Sequence, residues 1–429
     1  MTRIPAGERK ELRDLAKRVK DIALHPVWKE KIRLWEEKNG LRKCRPLVLC
    51  SLPEAAWDEI IPQASLTVSD PFIRTYESGL RRSLYRWEQI KDDEIVTSKI
   101  RVPIVHSLTN WIEGRKRPYS ERADRAAAFH PSLHSYRAVK KLTFPILSVD
   151  RQQTKRNLSR VHDIFGGILE IEEGEPFFSG SDGEVMGWGN GLIDLLCELR
   201  GLENVFYDLY SAPQFIHEMM EFLMRGTLHY FDQLEKEDLL RLNNNEFVSA
   251  SNTPLGSNGL ACTDELPGKD FDPRHVRTRD LWGFTQAQEF SEVSPEHHAE
   301  FVLPYQQKVA ERFGLNSYGC CEPNDRKWDQ ITSRIPRLRE VSVSHAADLR
   351  VAAEKLNDQY VLSWKPHPVT MIAEHDEHAI RDVLRKGLRT MRDCHVIVCL
   401  RDTQTLFGEP ERAGGWTRVA LEVAAEFEQ

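Results

Sequence analysis

Leu315-Asn316-Ser317-Tyr318-Gly319-Cys320-Cys321-Glu322-Pro323 is a short run that closes on a glycine, two thiols, a carboxylate and a proline. It reads as a buried strand, Leu315 to Gly319, followed at once by a turn that carries reactive side chains. The same unit recurs on either side. Downstream, strands are expected at Val341 to Val343, Tyr360 to Trp364 and His395 to Leu400, with helical patterns between them at Ala346 to Leu356 and Glu377 to Met391. Just upstream lies a strand at Phe284 to Phe290 and a helix at Pro295 to Phe313. That helix opens Val293-Ser294-Pro295-Glu296, with serine at the N-cap, proline in the first helical position and an acid in the first turn.

Further back, strands are expected at Arg45 to Cys50, Ile100 to Val105, Phe144 to Val149 and Leu239 to Asn243, with a helix from Gln214 to Lys236. The first 40 residues read as helix, with Asn39-Gly40 supplying a left-handed stop. Alternating strand and helix calls for parallel strands joined by crossover helices, and no glycine-rich phosphate fingerprint diverts the pattern toward a dinucleotide fold. The expected fold is therefore α/β, a (β/α)8 TIM-type barrel (residues 43–429) behind an N-terminal helical extension (residues 1–42). Two long polar stretches, Gly174 to Asn190 and Ser251 to Arg279, are expected as loops over the strand C-terminal face.

Composition excludes several classes. With 59 Lys+Arg interspersed among 66 Asp+Glu and a net charge of −7, no cationic surface suited to nucleic acid is expected. The hydrophobic share of 40% suffices for a large core, yet no apolar stretch approaches a bilayer span and no signal-peptide run opens the chain, so a cytoplasmic protein off the membrane is expected. The eight cysteines show no small-domain disulfide framework, and reduced thiols are expected.

In an α/β barrel the C-terminal ends of strands deliver the catalytic groups. Cys320 and Cys321 offer a nucleophile or a soft ligand, and equally serve as small buried hydrophobes. Glu289, His345 and one or both of Cys320 and Cys321 make a chemically sensible zinc set. Glu289, Glu322, His345 and Asp402 are the candidate acids and bases. For substrate contact the candidates are Asn244, in the run Asn243-Asn244-Asn245, then Gln288, Tyr318, and Lys365 and His367 in Lys365-Pro366-His367-Pro368. An ordinary turn explains the asparagines and the proline-flanked histidine as well. Trp188, Trp282 and Trp364 are candidates to line an aromatic-accepting pocket. His297-His298 points in two directions from its helix and suits a metal poorly.

The run Gly201-Leu202-Glu203-Asn204-Val205-Phe206-Tyr207-Asp208, then Ala212-Pro213-Gln214-Phe215-Ile216-His217 and the apolar Met219 to Leu223, resembles the uroporphyrinogen decarboxylase and corrinoid-dependent methyltransferase superfamily. The likeness continues through Val293-Ser294-Pro295, Leu303-Pro304-Tyr305 and Tyr360 to Pro368. Three departures count. Arg45 to Pro53 reads RPLVLCSLP, without the arginine motif of tetrapyrrole-decarboxylating members. Tyr318 stands where thiol-activating members carry the histidine of a His-x-Cys zinc pair. No Asp-x-His-x-x-Gly motif for cobalamin is present.

The resemblance implies a methyltransferase moving a methyl group from a small substrate, a methoxyaromatic or methylamine-type compound, to a corrinoid carried by a separate protein. Glu289, Glu322 or His345 would protonate the leaving group. It also implies a homodimer. The alternative is a lyase or decarboxylase of a small carboxylate, with Lys365 and nearby arginines holding the acid and His345 or Asp402 managing the proton. A barrel retained only for binding is the third reading.

Overall fold

The computed structural model describes residues 4–112, 131–174, 191–246 and 255–428. Its centre is one parallel sheet of six strands: β1 Leu47–Cys50, β6 Trp282–Thr285, β7 Leu315–Tyr318, β8 Leu338–Val343, β9 Val361–Trp364 and β10 His395–Leu400. They lie in the order β1-β10-β9-β8-β7-β6, every pair parallel. From β6 to β10 each strand lands beside its predecessor on the same side, and β1 then pairs with β10. The sheet is thus wound in one direction, with the first strand against the last. Among the described residues no strand pairing joins β1 to β6, and the structure shows an α/β fold around a six-stranded parallel sheet, a winding consistent with a TIM-like fold, without closure into a ring among those residues. Two small sheets complete the strands: β2 Lys99–Pro103 pairs parallel with β5 Glu170–Gly174, and β3 His106–Leu108 pairs antiparallel with β4 Leu147–Val149.

Period-two alternation sorts the sheet into two faces. Tyr318, Val341, Leu362 and Val396 lie side by side, as do Val343, Trp364, Val398 and Val48. This face packs under α3 Glu54–Ile60, α10 Leu303–Ala310, α11 Trp328–Arg334, α12 Leu349–Leu356, α13 Glu377–Thr390 and α14 Glu411–Ala425. Each fully buried aliphatic side chain there contributes about 1.5–3 kcal/mol. The opposite face carries Leu47, Leu49, Val361, Ile397 and Cys399 against Trp35 and Leu260. Trp35 belongs to α2 Val27–Asn39, which with α1 Ala6–Ala23 buries Leu12, Leu15, Trp28 and Leu34 in the same cluster as α4 Pro71–Tyr85 and α5 Arg151–Phe165. A third cluster gathers α6 Leu192–Arg200, α7 Leu202–Ser211, α8 Pro213–Lys236 and α9 Pro295–Phe301.

Local chemistry explains where elements depart from expectation. The expected helix from Pro295 to Phe313 is two, α9 and α10, because Pro304 lacks the N–H that would continue the first through Val302. Ser294 caps α9 as expected, accepting from the His297 N–H. The stop after α2 uses Leu41, at φ 54, while Gly40 sits at φ −83. Leu239 to Asn243 is no strand: Leu239 and Leu240 bury into the helical cluster. Asn243 instead pairs its amide with the backbone of Trp282, donating to its carbonyl at 2.9 Å and accepting its N–H at 3.0 Å. The stretch Gly174 to Asn190 lies outside the described residues beyond Gly174, and Trp188 with it. From Ser251 to Arg279, residues 255–263 are no surface lid, because Leu255, Asn258, Leu260, Ala261 and Cys262 are buried. No described helix is long and apolar enough to cross a membrane.

Candidate functional site

The strands β6 to β10 all end at one rim, and the loops that follow bring together Gln286, Cys320, Cys321, Glu322, Lys365 and Asp402. Gly319, at φ 92, turns the chain sharply off β7. Cys320 and Cys321 follow as free thiols with their sulfurs 3.6 Å apart. The Cys321 thiol donates to Asp402 Oδ2 at 3.3 Å. Cys320 is buried and its thiol is drawn down to about 7 by its hydrogen-bond contact with Cys321, against burial, with the Lys365 charge assisting. Cys321 is pushed the other way by the same bond. The pair therefore yields one thiolate, on Cys320, with the second proton retained.

Polar side chains on the inner face support that rim. Ser317 and Glu340 are neighbours across β7 and β8, and Ser342 and Ser363 across β8 and β9. Ser317 donates to Glu340 Oε1 at 2.9 Å, and the Asn258 N–H donates to the same oxygen at 2.6 Å. Burial pushes the Glu340 carboxyl up, opposed by these bonds and by Lys365. Lys365 donates to Asn258 Oδ1 at 3.2 Å, to the Cys320 carbonyl at 2.7 Å and to Ser342 Oγ at 2.5 Å. All three of its N–H donors are used, so it holds strand ends rather than a substrate acid.

Glu322 is likewise a fastener. One of its oxygens accepts from the Ala287 N–H at 3.2 Å and the other from the Cys320 N–H at 2.8 Å, stitching the β6 and β7 loops together. Glu289, on the helical turn Gln288–Phe290, faces α6 instead, where its carboxyl meets Asp194. Asp194 was not legible as a site residue, yet it is buried and accepts from Gln286 Nε2 at 2.6 Å. Burial, then the Glu289 carboxyl, then Glu198 and Cys320, raise its proton affinity well above the ordinary range. Two carboxyls in contact resist double ionisation, so the Asp194 proton is held more tightly than that of a lone carboxyl.

The remaining candidates divide. His345 and His367 are exposed and meet edge to face, ring centroids 4.6 Å apart. Burial and His367 push the His345 proton affinity down, while Asp402 opposes them. Gln288 is exposed, and its backbone is engaged at both ends, the N–H by Gln286 Oε1 and the carbonyl by the Ser291 N–H at 3.1 Å. Tyr318 points away from the rim: it is fully buried in the helix-covered face, and its hydroxyl meets His298 Nε2 at 2.9 Å. Strand parity forces this, since Ser317 takes the inner position. His298 is thereby a core residue, pushed down to about 3 by burial. Asn244 is remote, bonded to the Leu266 carbonyl and lining a separate cavity with Lys99, Arg101 and Arg241. Of the tryptophans, Trp282 packs against Ala261 and Leu315 while Trp364 lines a cavity beside His345.

Among the described residues no group of three or more His, Cys, Asp or Glu side chains is placed to hold a metal ion. The expected zinc set is divided because Glu289 turns toward Asp194 and His345 toward His367, with the thiols between them. The residues present do not fit that metal.

No family model matches the chain, and no curated protein matches it. Among solved structures, a methyltransferase from Methanosarcina mazei aligns with 92% of this chain and 98% of its own, at 10% identity and a TM-score of 0.46. A likeness that loose fixes neither fold nor activity.

Proposed function

We propose that the protein is a methyltransferase acting on a small methylated substrate, with the Asp194–Glu289 pair as its proton donor. The observation that carries this reading is a buried carboxyl whose proton affinity is raised by burial and by the Glu289 carboxyl, fixed by Gln286 at 2.6 Å, within electrostatic reach of the Cys320 sulfur. Breaking a methyl–oxygen or methyl–nitrogen bond leaves a strongly basic heteroatom, and a donor positioned to protonate it lowers the barrier. In this reading the methyl carbon passes to an incoming nucleophile, its bond to the heteroatom breaks, and the Asp194 proton goes to the departing atom. The negative Cys320 sulfur raises the proton affinity of Asp194, so the acid stays charged with its proton until the leaving group develops charge. The acceptor proposed is a corrinoid on a separate protein, which supplies the nucleophile. Asp402 and Cys321 hold the second thiol proton at the rim.

The alternative lyase reading placed a substrate carboxylate on Lys365 and nearby arginines, and the Lys365 donors are spent on Asn258, Cys320 and Ser342. The test is a panel of methoxy, methylthio and methylamino donors incubated with the protein and reduced cobalamin, with methylcobalamin followed by absorbance. Methylcobalamin formation that Asp194→Asn abolishes supports the reading. Carbon dioxide release from a carboxylate, with no methylcobalamin from any donor, would sink it.

A further inference from the structure

A cavity of about 600 Å³ opens where the loops after β8 and β9 meet α12 and α13. Its floor is the Trp364 indole, Pro366 and the bare backbone of Gly387. A Cβ on Gly387 would stand 2.2 Å from the Trp364 ring, so the absence of a side chain lets α13 lie directly against the indole. Ala347, Leu349 and Val383 extend the apolar wall.

The rim is cationic. Asp348 is the single acid among the lining residues, and it is engaged as the cap of α12, accepting the Arg350 N–H at 2.9 Å and the Arg350 guanidinium at 3.0 Å. The Thr390 hydroxyl donates to the Lys386 carbonyl at 3.0 Å, and the Lys386 ammonium and the paired imidazoles of His345 and His367 are the further polar groups over the apolar floor. His345 also feels the Asp402 carboxylate, which accepts from Cys321, so the cavity adjoins the thiol rim.

We propose that this cavity is a binding site for a small organic anion with an apolar body and one carboxylate. The volume lies within the range of small-molecule sites, about 300–1,000 Å³. Ala347, Leu349, Pro366 and Val383 supply the apolar wall that receives the body of the ligand. The Lys386 ammonium is complementary to the carboxylate, the imidazoles offer ring N–H donors beside it, and the only acid on the wall is already paired. The inference uses no step of the methyl-transfer reading, because binding is read without turnover and either can fail alone.

The test is calorimetric titration of the full chain with benzoate, toluene and inorganic phosphate, alongside Lys386→Glu and Val383→Phe, both at exposed positions. The expected result is one benzoate site, with toluene and phosphate each at least about tenfold weaker. Lys386→Glu weakens benzoate by about fivefold or more and leaves toluene unchanged, while Val383→Phe weakens both. The ring resonances of His345 and His367 move on benzoate addition. Four results would each overturn the proposal: no benzoate binding; toluene binding as tightly, which makes the site a plain apolar cleft; phosphate binding as tightly, which removes the apolar floor from recognition; or benzoate binding unaffected by both variants, which places it elsewhere.

Discussion

The Lys365 ammonium donates to the Cys320 backbone carbonyl at 2.7 Å, so the end of one strand holds the thiol-bearing loop of another. The same nitrogen reaches Asn258 and Ser342, and Asn258 reaches Glu340. Removing the ammonium strands buried acceptors and leaves the Glu340 charge without its nearest positive neighbour. Lys365→Met is expected to cost about 3 kcal/mol, read from the urea midpoint at unchanged slope. Glu340→Gln in the same background should recover part of that loss, a coupling of about 1 kcal/mol in a double-mutant cycle. Strict additivity of the two changes would show that the inner-face groups do not act as one network.

The Cys320 thiol, drawn down to about 7, predicts a pH profile. Its alkylation by iodoacetamide should rise with pH around neutrality rather than near the ordinary thiol value of 9.0. Cys321→Ala removes the hydrogen bond that contributes most to this, so the inflection should move upward. Peptide mapping distinguishes the two thiols. An unmoved inflection would mean that Cys321 gives Cys320 nothing.

The part of this architecture that could be read from sequence follows from burial. His395 to Leu400 is apolar apart from its first residue and buried along its whole length, and it forms β10 with those boundaries. The runs for β7 and β9 were legible for the same reason. Which face a side chain takes was not, because both faces of a buried parallel strand are covered and the alternation disappears. Tyr318 was therefore read as facing the rim when Ser317 occupies the inner side. Leu239 to Asn243 has the apolar start of a strand, but tertiary packing against α8 uses those leucines without a backbone ladder. Asp194 was hidden in Leu192-Ile193-Asp194-Leu195-Leu196-Cys197-Glu198-Leu199-Arg200. One signal was available: a helix apolar on all sides is buried, and every residue of α6 is, so its acids had to be buried with it. The rim itself was legible where chemistry clustered, at Cys320, Cys321 and Asp402, while the division of Glu289 from His345 depended on loop geometry that no spacing encodes.

Tyr318→Phe separates core from site. The change deletes one hydrogen bond, to His298, in a packed helix layer, and should cost about 1 kcal/mol. Because the ring faces away from the thiols, the pH profile of Cys320 alkylation should not change. A shift in that profile would place Tyr318 in communication with the rim and contradict the assigned face.

Asp194→Asn separates folding from catalysis. The native carboxyl pair binds a proton more tightly than the unfolded chain does. Stability from that preference is complete below the unfolded carboxylate value near 4 and is lost as pH rises toward the raised native value. Asparagine keeps the acceptor for Gln286 and cannot ionise, so the melting temperature of Asp194→Asn relative to the native chain should climb between pH 5 and pH 8. Methyl transfer should move the opposite way, falling by about 10²–10⁴ if this carboxyl is the proton donor. In the native protein, turnover should decline as pH rises through the loss of the same proton. A variant that is relatively stabilised at high pH yet inactive assigns the proton to chemistry. A variant equally stabilised and fully active would leave Asp194 a buried acid with no part in the reaction.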